Sequence, residues 1–165
     1  MRTAPPERDC SWQQDAGPAL VLPGRPWAVR LAGRDSAFPA LEVYQAGVLL
    51  DVVSSTRLAA PLLRGARASD GRAGPCALAW GRLPATGTSP AAEFTTGRRR
   101  YYSQPGIVLK LTSWCWLAVA DGSFDRVAVR CGERCSSAKI HRAKIHRAKI
   151  RHAKIHRAKN HRGQP

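Results

Sequence analysis

Between residues 26 and 135 the chain is cut into short pieces. Runs of alternating apolar and polar residues, roughly four to eight long, end at clusters of Gly, Pro or Asp, and no helical apolar period is sustained. That punctuation confines the chain to strands and tight turns. About seven short strands with no long helix predict an all-β fold, an antiparallel β-sandwich or a barrel-like domain. In the first run Trp27, Val29 and Leu31 alternate with Ala28, Arg30 and Ala32, and Gly33-Arg34-Asp35-Ser36 closes it. In residues 40–57, Val43-Tyr44 and Val48-Leu49-Leu50 flank Gln45-Ala46-Gly47. This suits a three-residue hairpin connection with a left-handed Gly47 at a bulge. Val48, Leu50 and Val52 would then share one face, and Leu49, Asp51 and Val53 the other.

Residues 58–68 read as an irregular strand, because Pro61 and Gly65 interrupt the competing helix. Ser69-Asp70-Gly71-Arg72 reads as a turn, 76–80 as a short strand stopped by Gly81, and 92–96 as another strand. The strongest local cue is Asp121-Gly122, set between two alternating runs in SWCWLAVADGSFDRVAVRC, residues 113–131. A two-residue hairpin there places Trp116 opposite Val127 and Trp114 opposite Val129 on the core side, with Cys115 and Ala128 on the other. Residues 1–25, rich in Pro, Gly and charge, are expected to form a disordered arm, 26–135 the β domain, and 136–165 a disordered basic tail.

Three pieces carry a resemblance. Val43-Tyr44-x-x-Gly47-Val48, then Leu63-Arg64-Gly65 leading to Asp70-Gly71-Arg72, then Trp114-x-Trp116 leading to Val129 and Cys131, follow the order and spacing of an uncharacterised actinobacterial-type β-sandwich family across residues 27–134. The resemblance implies the sandwich fold; it brings no activity and no site residues.

Charge is placed unevenly. Of the net +16, residues 138–165 carry +10, from five Lys and five Arg with no acid, and they also hold all five His. Residues 1–137 carry 17 basic and 11 acidic side chains. Such an asymmetry points to a polyanionic partner: nucleic acid, an anionic membrane surface or an acidic protein. No run of apolar residues is long enough to span a membrane, and acids and Pro interrupt the N-terminal stretch where a signal peptide needs continuous apolar sequence, so a cytoplasmic location is expected. The five Cys are irregularly spaced and read as free thiols, Cys131 buried and Cys135 exposed.

Little in the body suggests catalysis. No His lies outside the tail to activate a Ser or Cys nucleophile, and no phosphate-binding Gly loop is present. Asp121 and Asp125 flank a turn; turn chemistry explains the first and solvent exposure the second, without a catalytic role. Cys131, Cys135, His141 and His146 are ligand types that zinc prefers, but five residues between Cys135 and His141 leave no room for a separate packed helix. A non-enzymatic protein without metal or cofactor is expected.

The tail repeats a pentad: AKIHR, AKIHR, AKIRH, AKIHR, AKNHR over 138–162. In a helix five residues turn a net of roughly 140°, and in a strand an odd period sends successive Ile residues to opposite faces, so neither geometry gathers an apolar stripe. The repeat is therefore expected to stay off the body. Its cations, Lys139, Arg142, Lys144, Arg147, Lys149, Arg151, Lys154, Arg157, Lys159 and Arg162, are the candidate nucleic-acid contacts, made to phosphates without sequence readout. In composition alone the tail is similar to those of histone-like proteins. Arg98, Arg99, Arg100, Tyr101 and Tyr102 form a second basic-aromatic cluster, in which Arg grips phosphate and Tyr stacks on a base. Two alternatives stand beside nucleic-acid binding: a sheet surface that binds a protein, with the repeat incidental, and a degraded or mispredicted reading frame.

Overall fold

The structure is a computed structural model that describes residues 19–33, 36–56, 61–97 and 102–142. The described residues are all-β, with no helix. The thirteen strands are β1 (Leu20–Val21), β2 (Trp27–Ala32), β3 (Ala40–Gln45), β4 (Val48–Ser54), β5 (Gly65–Gly71), β6 (Gly74–Arg82), β7 (Ala91–Thr96), β8 (Tyr102–Pro105), β9 (Ile107–Lys110), β10 (Cys115–Asp121), β11 (Arg126–Cys131), β12 (Arg134–Lys139) and β13 (His141–Arg142). They make three sheets: a first sheet β1-β2-β3-β4, a central sheet β13-β5-β6-β10-β9 and a third sheet β12-β11-β7-β8. Pairing is antiparallel throughout, save for β13 against β5.

The central sheet is covered on both faces, which explains the near-continuous apolar runs of β6 and β10. From it, Cys76, Leu78, Trp80, Cys115, Leu117 and Val119 meet Trp27, Val29, Leu41, Val43 and Val53 of the first sheet. Its other face offers Ala66, Ala68, Ala77, Ala79, Ala118, Ala120 and Trp116 to Phe94, Val127 and Val129 of the third sheet. Small residues line this second interface where the rings of Trp116, Phe94 and Phe124 fill the space.

β2 follows the expected alternation, with Trp27 and Val29 buried. The β3–β4 connection has two residues instead of three: Ala46 (φ 49°) and Gly47 (φ 81°), both left-handed as in a type I′ turn. The bulge lies further along, between Val43 and Tyr44, where Leu50 is the extra residue on β4. Alternation therefore breaks there: Leu50 packs against the core while Val48 and Val52 stay exposed. Ser69 to Gly71 continue β5, so the turn falls at Arg72-Ala73. β6 runs through Gly81, because a Cβ at that position would overlap the Leu62 carbonyl; here Gly permits close approach and does not end the strand.

The Asp121-Gly122 hairpin does not form. β10 is already paired on both edges, with β6 and β9, and β11 with β7 and β12. The chain instead crosses from the central to the third sheet through Gly122 (φ 133°), Ser123, Phe124 and Asp125, and Phe124 turns into the core. Trp116, Val127 and Val129 share one core as expected, but by facing each other across two sheets. Cys115 is fully buried too, since β10 has no solvent side.

Strand pairing begins at Leu20, within the expected arm, and reaches Arg142, within the expected tail. The docked tail residues overturn one expectation. The first pentad belongs to the fold: Ala138 and Lys139 finish β12, Ile140 is only 8% exposed in the core, and His141 and Arg142 form β13. A single Ile needs no stripe. The odd period that prevents an amphipathic face still allows one residue to point inward at a crossing between sheets.

Candidate functional site

The tail leaves the third sheet at Lys139 and joins the edge of the central sheet at His141, in register with Arg67. At the crossing Ile140 N–H donates to the Asp125 carbonyl at 2.8 Å. Arg142 Nη2 donates to Ser123 Oγ at 2.9 Å, and both His141 and Arg142 are exposed. Two crossings thus run side by side, one through 122–125 from the central sheet outward and one through Ile140 back.

Tyr102, the described residue of the second predicted cluster, meets this same place. Tyr102 opens β8 opposite Thr96, and its ring stacks on Phe124 with centroids 6.4 Å apart and planes 14° from parallel. Tyr102 as a residue remains 59% exposed. Arg142 and Tyr102 therefore flank two consecutive residues, Ser123 and Phe124. Nearby, Lys139 stands directly opposite Arg126 across β12 and β11, and both are exposed. Like charges placed so repel each other, and an anion lying between them would relieve that repulsion. Arg126 and Lys139 enter no salt bridge among the described residues. Arg98, Arg99, Arg100 and Tyr101 lie outside the described residues, as do Lys144, Arg147, Lys149, Arg151, Lys154, Arg157, Lys159 and Arg162.

Other polar groups are engaged in structural contacts. Asp121, on one side of the crossing, is paired with Arg25 at 2.8 Å. That pair borders an open cleft of about 420 Å³ lined by Leu22, Arg25, Asp70 and Arg72. On the solvent face of the first sheet, Arg30 Nε and Tyr44 O–H both donate to Glu42 Oε2 at 2.6 Å, a triad that sequence patterning does not single out although the three alternate on paired strands. The Arg30 hydrogen bond holds the Glu42 carboxyl below the usual glutamate range, and Glu42 in turn pushes the Tyr44 phenol up. Burial pushes the Cys76 and Cys115 thiols up, which leaves them less reactive, and Cys131 and Cys135 are buried and exposed respectively. No group of three metal-ligand side chains gathers among the described residues.

Comparison with known proteins adds no relative: no protein-family model matches the chain, and neither does any curated protein or solved structure.

Proposed function

We propose that this is a non-enzymatic, cytoplasmic protein that binds nucleic acid without sequence preference, through its basic tail and the basic-aromatic corner from which the tail departs. What carries the proposal is placement. Arg142, at the root of the tail, and Tyr102, next in sequence to the Arg-rich run, flank Ser123 and Phe124, so one described member of each candidate cluster lies at the same corner. A phosphate chain following the tail would meet Arg142 and Lys139, and Tyr102 is exposed enough to offer its ring to a stacking base.

The test compares the full chain with one ending at Arg142. Ending it at residue 137 would strip Ile140 from the core and confuse folding with binding. Affinity for a DNA duplex is measured over a range of salt. The full chain is expected to lose affinity on a log–log plot with a slope of roughly −6 if about seven cations meet phosphates, and the shortened chain to bind more weakly with a flatter slope. Equal affinity and slope for both chains would refute the proposal.

A second use of the domain is favoured by a different observation. β4 is a sheet edge with Val48 65%, Leu49 48% and Val52 45% exposed. An edge that no strand pairs among the described residues, and that bears apolar side chains, suits a protein partner that adds a strand.

A further inference from the structure

The docked pentad is one of several copies. Residues 143–147 and 153–157 repeat AKIHR letter for letter, 148–152 swap the last two residues, and 158–162 put Asn160 where the Ile belongs. Whatever chemistry seats the first copy is therefore present again five residues on. The seat has three parts: an apolar place in the core for the Ile, the Asp125 carbonyl for its N–H, and Ser123 Oγ for the Arg that follows two residues later. The intervening His forms a strand pair with Arg67 and asks for backbone alone.

Two copies cannot sit there together. In one continuous strand Ile140 and Ile145 point to opposite faces, because five is odd. Occupancy is thus mutually exclusive, and the alternative copy needs only that residues 140–144 loop out beyond Lys139. Closing that loop carries an entropic cost, which grows only slowly as the loop lengthens. The first copy holds the seat because it needs no loop at all.

We infer that this seat is a docking site for the Ile-His-Arg part of the pentad, and that residues 145–147 of the same chain exchange into it in place of 140–142 while Ala138 and Lys139 stay in β12. The site discriminates among the copies. Residues 153–157 fit equally but close a loop three times longer, a penalty of about fivefold. Residues 148–152 place His152 where Arg142 reaches Ser123, and 158–162 offer Asn160 to an apolar place; both are poorer occupants. Each exchange moves one Lys and one Arg between tail and loop, which makes the tail adjustable in length while the core stays closed. The inference stands apart from nucleic-acid binding and survives its failure.

The test uses the full chain with Ile140→Asp, read by amide hydrogen exchange and thermal unfolding. The expected result is a folded protein in which the Ile145 amide becomes protected, at least about tenfold less than the Ile140 amide of the parent, because a five-residue loop must be closed. The variant with Ile140, Ile145, Ile150 and Ile155 all replaced by Asp should lose this protection and unfold at a clearly lower temperature than the single variant. Ile145→Asp alone should match the parent. Equal destabilisation of the single and fourfold variants, with Ile145 unprotected, would overturn the inference and leave Ile140 an ordinary core residue. Protection of Ile145 that grows with protein concentration would overturn it as well, because the pentad would then come from a second copy of the chain. Ile140→Ala brings no charge into the core and carries the same expectations; it decides the matter if Ile140→Asp does not fold.

Discussion

The central sheet offers mostly alanines to the third sheet and mostly large side chains to the first, and the two interfaces are closed by different means. Between central and third sheets, the space over the alanines is filled by rings and by residues at chain crossings, Phe124 on the way out and Ile140 on the way back. The indole N–H of Trp116, buried there, donates to the carbonyls of Leu62 and Arg82 at 3.1 and 3.2 Å. Between central and first sheets, packing is denser in large side chains but polar groups intrude. Gln45 Nε2 donates to Ser69 Oγ at 3.1 Å, while Trp27 Nε1 and Gln45 Oε1 are buried without a partner among the described residues. The margin of this interface is clamped by charge: Asp51 accepts from Trp80 Nε1 at 2.9 Å and from Arg64 Nε at 3.2 Å, and the Arg82 guanidinium donates to the carbonyls of Ser55 and Thr56. One interface rests on volume and the other also on paired polar atoms, so truncation should hurt the first most and loss of a single acceptor should matter in the second.

The largest expected effect falls on volume. Trp116→Ala removes a fully buried indole from over the alanines, which have no side chain able to collapse into the space. Chemical denaturation should show a loss of about 3–5 kcal/mol. A loss below about 1 kcal/mol would mean that the alanine-lined interface can close without its ring, and the contrast between the interfaces would fail.

The next effect tests the clamp. Asp51→Ala leaves the Trp80 N–H unpaired at the edge of the other interface and should cost about 1–3 kcal/mol. Asp51→Asn keeps an acceptor oxygen and should recover part of that loss. If the two variants are equally unstable, the clamp acts through charge and not through the indole hydrogen bond.

How much of this arrangement the sequence discloses depends on whether a signal is local. Trp27 and Val29 alternate because one side of β2 meets water, and that period is readable directly. The contiguous run of β10 announces burial but not the two separate interfaces that cause it. Asp121-Gly122 carries the chemistry of a turn, yet whether a turn returns beside its own strand depends on which edges are free, and β6 and β9 had taken both. The corner that brings Arg142 and Tyr102 to Ser123 and Phe124 is assembled by that same crossing, so these two residues could each be named from sequence while their proximity could not. Ile140 escaped for a related reason. Periodicity asks whether a segment has an apolar face, and docking at a crossing needs only one apolar residue.

The smallest expected effect belongs to neither interface and serves as their control. Glu42 sits on the solvent face of the first sheet, where Arg30 and Tyr44 hold its carboxylate in the charged form. Because its carboxyl titrates lower in the folded chain than in the unfolded one, the triad adds stability above the ordinary glutamate range. That increment is lost as pH falls through the folded value. Solvent screens the pair, so the increment should be about 1 kcal/mol or less. Glu42→Gln should therefore weaken the protein slightly at neutral pH and not at all once the parent's carboxyl is protonated, so the two stability curves converge on the acid side. Curves that stay parallel through the acid range would show that the triad contributes by packing and not by charge, and the first sheet's outer face would then resemble the volume-dependent interface it is meant to contrast with.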